Sequence, residues 1–114
     1  MKKVIWCLTA LGLLAFANEA SAQDKGAKVF SDHGCPMCHS IAGKGNVKGP
    51  LDDVGSKLTP ADIRGWITDP AGSAAKAKAE RKPPMAAMQA KFKDLSKQDL
   101  EDLVAYLASQ KKKA

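Results

Sequence analysis

Hydrophobic positions near the C-terminus recur every three or four residues, the spacing of one face of an α-helix. Ser96 precedes this run and Asp99 follows Ser96 three residues later, as at the capped start of a helix. The apolar positions of the face are Leu100, Leu103, Val104 and Leu107. The pattern therefore predicts a C-terminal helix with one buried face.

A second helical pattern begins at Thr59, whose hydroxyl can cap a helix that starts at Pro60 and carries Asp62 in its first turn. The Asp69-Pro70 pair predicts the end of this helix, because proline disfavours helical backbone at the residue before it. The apolar positions at helical spacing are Ile63, Trp66 and Ile67.

The remaining segments carry weaker signals. A short helix is predicted from Asp24 to His33, with Gly26 and Phe30 on one face. Residues 40–55 are rich in glycine and show no strand pattern, and residues 71–82 can form either a helix or a mobile loop. The predicted fold class is all-α.

The first 22 residues have the organisation of a secretory signal peptide. Lys2 and Lys3 form a basic start, Val4–Ala17 is nearly all apolar, and Ala20-Ser21-Ala22 places small residues at the spacing of a cleavage site. The apolar run is shorter than the roughly 20 residues that a membrane-spanning helix needs. We therefore predict a cleaved signal peptide at residues 1–22 and one periplasmic domain at residues 23–114, with an uncleaved membrane anchor as the alternative.

The chain is basic, with a formal net charge of +6. Cleavage after Ala22 would remove Lys2, Lys3 and Glu19 and leave +5. Such a charge favours acidic protein partners and makes encounter rates sensitive to salt, while export argues against nucleic acid as a partner. Because so small a domain has a small core, support from a disulfide, a metal or a large cofactor is expected.

The most specific motif is Cys35-Pro36-Met37-Cys38-His39. Two thiols separated by two residues and followed at once by a histidine are typical of c-type haem attachment, because both sulfurs can bond to the haem vinyl groups while the imidazole reaches the iron. The motif predicts one covalent haem c per chain, bound through Cys35 and Cys38, with His39 as an iron ligand.

Three other uses of the same residues stay open. A disulfide between Cys35 and Cys38 would close a very small loop and constrain the unfolded chain little. A zinc site would need a fourth ligand, and the other histidine, His33, does not have the usual spacing. A thiol oxidoreductase of the thioredoxin kind would need strands before and after the motif, which the sequence does not indicate.

From about Gly26 to Leu107, the chain resembles class I cytochrome c. The resemblance implies a cytochrome c fold of three to five short helices packed around one covalent haem. It also implies that the N-terminal helix, through Gly26 and Phe30, crosses the C-terminal helix at Tyr106 and Leu107. Besides the haem motif, the segments similar to the family in order and spacing are Gly49-Pro50-Leu51, Val54-Gly55, Leu58-Thr59, Ile63, Trp66-Ile67 and Asp69-Pro70.

The resemblance also implies two further haem contacts outside the motif. The carbonyl of Pro50 is expected to accept a hydrogen bond from His39 Nδ1, which would turn Nε2 toward the iron. Trp66 is expected to border a haem propionate, with plain packing in the core as the alternative. Both residues are therefore predicted to bind the cofactor.

By the same resemblance, a methionine is expected on the far side of the iron. Met85 is the predicted sixth ligand, because it follows the rigid Pro83-Pro84 pair, which suits a strap held across the haem. The family often has proline directly after this methionine, however, and here Ala86 stands there. Met88 is therefore the alternative ligand, and a third possibility is that neither methionine binds iron.

The function implied by the resemblance is that of a monomeric electron carrier and not an enzyme, because a haem ligated on both faces has no open coordination site. Its redox partners would be a quinol-oxidising complex, a dehydrogenase, a terminal oxidase or a peroxidase of a respiratory chain. A haem sensor or a peroxidase-like protein is the alternative if the sixth ligand is displaceable. Some of the lysines expected around the haem crevice can steer acidic partners, and the alternative is that they only form a generally solvated basic surface. These lysines are Lys44, Lys48, Lys57, Lys91 and Lys93.

Overall fold

The computed structural model describes the backbone of residues 14–112 and the side chains of residues 23–112. Within this part of the chain, two short strands, β1 (Ser40–Ile41) and β2 (Lys44–Gly45), form a hairpin, and Cys35–Met37 and Met85–Met88 form 3-10 turns. The α-helices are α1 (Leu14–Asp32), α2 (Val54–Lys57), α3 (Pro60–Thr68), α4 (Pro70–Ala77), α5 (Gln89–Phe92) and α6 (Lys97–Ala108).

The all-α prediction is confirmed. The described residues form six helices instead of three to five, because α2 and α5 are single turns of four residues, too short to show a hydrophobic period. The signal peptide predicted at residues 1–22 lies outside the residues whose side chains are described. Between residues 14 and 112, no helix combines the length and the apolar character needed to cross a membrane.

The N-terminal helix is longer than predicted. It ends at Asp32, one residue before the predicted end, but it begins at Leu14 instead of Asp24. Residues 14–23 are rich in alanine, the residue with the highest helix propensity. The helix therefore continues toward the N-terminus beyond Asp24 instead of beginning there.

Helices α1 and α6 cross at a glycine. A Cβ atom on Gly26 would lie less than 3.0 Å from the carbonyl oxygen of Asp102 and from the Cβ of Tyr106, so only glycine permits this approach. Beside the crossing, the rings of Phe30 and Tyr106 meet edge to face with their centroids 6.0 Å apart. The predicted crossing of the two terminal helices is therefore confirmed.

The core combines one face from each of α1, α3 and α6. These are the faces that the helical spacing predicted for α3 and α6, although Leu100 is only half-buried and Trp66 lies at the edge of the core. On the outer side, Arg64 of α3 forms a bidentate ion pair with Glu101 of α6, at 2.8 Å for the shortest contact. The buried apolar residues are Val29, Phe30, Ile63, Ile67, Leu103, Val104 and Leu107.

Helix α3 begins at the predicted cap. The Thr59 hydroxyl accepts a hydrogen bond from the Asp62 amide at 3.1 Å, and the Asp62 carboxylate accepts one from the Thr59 amide at 3.2 Å. This reciprocal pair is a capping box. The helix ends at Thr68, as the Asp69-Pro70 pair predicted.

Pro70 also starts the next helix. A proline suits the first helical position, where its missing amide hydrogen would have no partner within the helix. The segment that the sequence left open, residues 71–82, is helical as far as Ala77. Lys78 then adopts φ 52° and ends the helix in the left-handed conformation.

The glycine-rich segment contains a small hairpin where no strand was predicted. Ser40 pairs with Gly45 and Ile41 pairs with Lys44. Ala42 and Gly43 form the turn with φ values of 53° and 79°, as in the two-residue turns that match the twist of a hairpin. Strands of two residues are too short to produce an alternating pattern in the sequence.

We expect Gly26→Ala to lower the free energy of unfolding by about 1–3 kcal/mol, because the new methyl group must push α1 and α6 apart. Gly65→Ala is the matched control within α3, since its Cβ would meet only the Ser73 hydroxyl, at 3.2 Å. Its effect should stay within about 1 kcal/mol, because alanine favours helix more than glycine does. Urea unfolding of both variants measures the difference, and equal losses would contradict the close-approach explanation.

The capping box predicts a pH-dependent stability. Hydrogen bonds from the Thr59 hydroxyl and amide hold the pKa of Asp62 below its ordinary value of 3.8. A depressed pKa means that the carboxylate stabilises the fold above 3.8 and that this stabilisation is lost as the pH falls through the lower folded-state value.

Asp62→Asn should therefore have a lower melting temperature than the wild type at neutral pH, with a gap that narrows as the pH falls below 3.8. Asp94→Asn, which removes another exposed carboxylate, is the control. Thermal melts across the acidic range measure the gap. A gap that does not change with pH would show that Asp62 acts through its shape and not through its charge.

Candidate functional site

A cavity of about 470 Å³ lies among α1, α3, α6 and the segment that leads into α5. This volume is in the range of small-molecule and cofactor sites. Its wall is mainly apolar and includes several residues of the core, such as Phe30 and Leu103. The residues that the sequence assigned to a cofactor all line it, and they are Cys35, Cys38, His39, Pro50, Trp66, Met85 and the alternative Met88.

The motif residues lie on a compact turn that begins where α1 ends. Gly34 has φ 73°, the left-handed conformation in which glycine commonly follows a helix. The amides of Cys38 and His39 then donate to the carbonyl of Cys35, at 3.1 Å and 3.0 Å. We call residues 34–39 the attachment turn; it brings the two thiols and the imidazole to the cavity wall.

A backbone carbonyl orients the His39 ring. The Nδ1 atom lies 3.1 Å from the carbonyl oxygen of Gly49. Because a carbonyl only accepts hydrogen bonds, Nδ1 carries the proton and Nε2 keeps its lone pair, the form in which histidine binds a metal.

The prediction that Pro50 supplies this carbonyl is wrong by one residue. The Ser40 amide donates to the Gly49 carbonyl at 3.1 Å, and the Ser40 carbonyl accepts from the Leu51 amide at 2.8 Å. Ser40 therefore pairs with Pro50 as in a parallel sheet. Successive carbonyls of extended backbone point in opposite directions. This register turns the Gly49 carbonyl toward His39, while Pro50 lies exposed at the rim of the cavity.

Gly45, the last residue of β2, and Asn46, which follows it, support the attachment turn through contacts that the sequence analysis missed. The Asn46 amide donates to the carbonyls of Pro36 and His39, at 3.0 Å and 3.1 Å, and its side chain donates to the Met37 carbonyl at 3.1 Å. Gly45 has φ 106°, and a Cβ atom there would lie less than 3.0 Å from the His39 carbonyl oxygen. An asparagine next to a glycine indicates only a turn, so the sequence held no signal for these contacts.

Arg81 is a second residue that the sequence analysis missed. Its Nη2 donates to the carbonyl of Cys38, 43 residues earlier in the chain. Its guanidinium also packs against Gly49, where a Cβ atom would lie less than 3.0 Å from Nη1 and Cζ. Arg81 lines the cavity, but a single arginine in a basic segment carries no sequence signal of a contact so far away.

The electrostatics of the attachment turn favour neutral groups. Burial raises the pKa of the Cys35 thiol to about 11. Burial also lowers the pKa of His39, against the effect of the Gly49 hydrogen bond and with a further contribution from the positive charge of Arg81. At neutral pH the Cys35 thiol is therefore protonated and the His39 imidazole is uncharged.

These properties weaken the rival interpretations of the motif. A thiol oxidoreductase needs a thiol with a lowered pKa, and Cys35 has the opposite. The sheet found within residues 14–112 is a single hairpin of two-residue strands, which is not the sheet of a thioredoxin-like fold. Cys35 and Cys38 are free thiols, and no group of three described histidine, cysteine or acidic side chains is arranged to hold a metal ion.

Residues 85–88, called the methionine segment, form another part of the wall through Met85 and Met88. Pro84 is extended, with φ −69° and ψ 150°, and a 3-10 turn covers Met85–Met88. Because three residues make one turn of a 3-10 helix, Met85 and Met88 lie on the same side, and both are half-buried. Trp66 is half-buried on α3, whereas Met37 in the attachment turn is 62% exposed.

Comparisons with known proteins agree with these features. A sequence model of the family described as Cytochrome c matches residues 23–111. Among curated proteins, the chain is 27% identical over 97 residues to cytochrome c oxidase subunit 2 of Alkalihalophilus pseudofirmus. This match covers 77% of the chain and 25% of that protein, so the chain spans about a quarter of its relative. No solved structure matches the chain significantly.

Two glycines of the hairpin provide a matched test of the support beneath the attachment turn. Both Gly43 and Gly45 have positive φ, but no atom lies within 4 Å of a Cβ on Gly43, whereas a Cβ on Gly45 would clash with the His39 carbonyl. Gly43→Ala should therefore cost about 1–2 kcal/mol of backbone strain.

Gly45→Ala should cost at least about 1 kcal/mol more, because the clash adds to the strain. It should also lower the fraction of chains that carry covalent haem, since it displaces the backbone of His39. Urea unfolding and intact-mass spectrometry of the two variants measure both effects. Equal stability and equal haem content would contradict the role assigned to Gly45.

Proposed function

Because the chain belongs to the cytochrome c family, which binds covalent haem and transfers electrons, we propose that it is a periplasmic carrier of single electrons whose haem iron is ligated by His39 and Met85. The observation that carries this proposal is one cavity wall that combines the two thiols and the imidazole of the attachment turn with the methionine segment.

The residues present fit a c-type haem. Covalent attachment requires two free thiols on one turn, which Cys35 and Cys38 supply. Iron ligation requires a neutral imidazole whose Nε2 is available, and the Gly49 carbonyl favours that tautomer of His39. The mainly apolar wall of the cavity suits the apolar porphyrin ring of a haem. When bound, the haem supplies a one-electron couple that the protein tunes through its ligands and surroundings.

Met85 is the proposed second ligand because of its place after the two prolines and its contact with the core. It follows Pro84 directly, and its side chain packs against the apolar core. Pairing histidine with methionine raises the reduction potential relative to two nitrogen ligands. Met88, one 3-10 turn later on the same side, is the competing ligand, and the experiment below distinguishes the two.

We propose a carrier and not an enzyme, because ligands on both faces of the haem leave no coordination site for a substrate. Trp66, on the wall of the cavity, is proposed to border a propionate, and Pro50 to contact the cofactor at the rim. In this arrangement the protein holds the cofactor, limits its contact with water and exposes one edge to partners. We propose that it works as a monomer.

The charge of the protein supports acidic redox partners. The formal net charge is +5 after the proposed cleavage, and the charged residues that line the cavity are Asp53 and the cations Lys57, Arg81 and Lys91. Positive charge near the cofactor steers acidic surfaces toward it and makes the encounter sensitive to salt. Because the relative found among curated proteins is an oxidase subunit, we propose a terminal oxidase of a respiratory chain as the electron acceptor.

The proposed location is the periplasm. Residues 1–22 have the basic start, apolar run and small-residue site of a signal peptide. Cleavage after Ala22 would leave the whole of residues 23–111, the segment that the family model matches.

The ligand proposal is tested by absorption spectra of haem-loaded protein, oxidised and reduced. The oxidised wild type should show the weak far-red band of methionine bound to ferric iron. Met85→Ala should lose this band and have a lower reduction potential, because a thioether favours ferrous over ferric iron and this preference is lost. Met88→Ala is the matched control and should keep both properties.

Three results would contradict parts of the proposal. A band lost in Met88→Ala and kept in Met85→Ala would make Met88 the ligand. A wild type with covalent haem but no band would favour a sensor or a peroxidase-like protein. The location is tested by fractionation and intact-mass spectrometry. The protein in the periplasmic fraction should have the mass of a chain that begins at Gln23, and a mass that includes residues 1–22 would rule out cleavage of the signal peptide.

A further inference from the structure

The methionine segment is reached through an exposed connection. After α4, residues 79–84 form no helix or strand, and each of them is exposed. Among the backbone hydrogen bonds of the described chain, the Ala79 amide bonds back to Ala74, and the Ala87 amide bonds back to Pro84. The backbone of residues 80–83 is therefore not anchored by a sheet or a helix.

Arg81 anchors this connection through its side chain. Its Nη2 donates to the carbonyl of Cys38 in the attachment turn, while Nη1 and Cζ pack against the backbone of Gly49. Gly49 is buried, and its carbonyl is the one that orients His39. One guanidinium thus contacts both backbone segments that hold the histidine side of the site.

The anchor lies close to the methionine along a stiff stretch of chain. Only Lys82, Pro83 and Pro84 separate Arg81 from Met85, and the two prolines have fixed φ angles. Because this stretch contains little flexible backbone, a displacement of Arg81 also displaces Met85. On the far side of the methionine segment, the Lys91 carbonyl lies 3.3 Å from His33 Nδ1, which gives the segment a second attachment before the motif.

We propose that Arg81 is a positioning residue that clamps the methionine segment against the attachment turn and so holds the methionine ligand across the cavity. This inference rests on the proposed ligation by a methionine of that segment. Arg81 acts through the backbone, because its contacts are with Cys38 and Gly49 and not with a methionine sulfur.

The contact requires arginine in particular. A guanidinium is flat and carries donors on two separate nitrogens, so it can bond to one carbonyl while its plane lies on a glycine. A lysine could place one ammonium group near the Cys38 carbonyl, but it has no flat surface to cover Gly49. Arg81→Lys should therefore preserve the charge and only part of the clamp.

Binding of imidazole to the oxidised, haem-loaded protein tests the clamp. Imidazole can replace a methionine ligand only in molecules whose methionine segment has moved away, so its apparent affinity reports the population of that open state. At a pH at which imidazole is neutral, the charge of Arg81 has little direct effect on the added ligand. The far-red methionine band is recorded in the same titration.

We expect Arg81→Gln to bind imidazole about tenfold more tightly than the wild type. The hydrogen bond from the charged guanidinium exists only in the closed state, so its removal destabilises the closed state and not the open one. Arg81→Lys should fall between the two. Lys82→Gln is the matched control: it removes the same charge from the next residue, is also exposed, and should change the affinity by less than about twofold. Because Arg81 lies outside the apolar core, the variants should still fold and attach haem.

Two results would overturn the clamp while leaving the electron carrier intact. One is an unchanged imidazole affinity in Arg81→Gln. If the reduction potential shifts while the imidazole affinity stays unchanged, the guanidinium interacts with a haem carboxylate instead. The other is an equal gain in Arg81→Gln and Lys82→Gln, which would be a general effect of charge. A wild type without the methionine band would instead contradict the proposed function on which the clamp rests.

Discussion

The structure depends on one constraint: its hydrophobic core is built around a cavity. Five of the seven buried apolar residues also line that cavity, namely Phe30, Ile63, Ile67, Leu103 and Leu107. A domain of this size buries little apolar surface, and an empty apolar cavity removes packing contacts from the residues around it. A haem in this space would complete the core, so cofactor binding and the stability of the fold are aspects of the same packing.

The histidine side of the site is held by close contacts between backbone segments. Gly45 lies against the His39 carbonyl, and Gly49 lies against the Cys38 carbonyl and the Arg81 guanidinium. A side chain at either glycine would separate these segments. The same approach brings the Gly49 carbonyl within hydrogen-bond distance of His39 Nδ1. The orientation of the imidazole is thus a consequence of how tightly the glycine-rich loop folds back on the attachment turn.

The ionisable groups of the attachment turn are neutral, whereas charged residues line other parts of the cavity. Partial burial raises the pKa of the Cys35 thiol and lowers the pKa of His39, so both are uncharged at neutral pH. Arg81 lies at the edge, where its charge contributes to the lowered pKa of His39 and its donor satisfies a backbone carbonyl. A mainly apolar wall that includes several cations suits a large apolar cofactor that carries its own carboxylates and meets acidic partners.

The sequence by itself determined the features that depend on neighbours along the chain. The capped starts of α3 and α6, the Asp69-Pro70 boundary and the haem-attachment motif all arise from residues a few positions apart. The crossing of α1 and α6 was also predictable, because Gly26 and Phe30 fit a known family pattern. The single-turn helices and the hairpin were not, since elements of two to four residues show no period.

Only the tertiary structure decided which groups meet across the cavity. It assigned the histidine hydrogen bond to Gly49 instead of Pro50, because the pairing of Ser40 with Pro50 sets the direction of each carbonyl. It also brought Arg81 to Cys38 from 43 residues away. Such contacts depend on the relative placement of whole segments, which is set by packing around the cavity and leaves no mark in the local sequence.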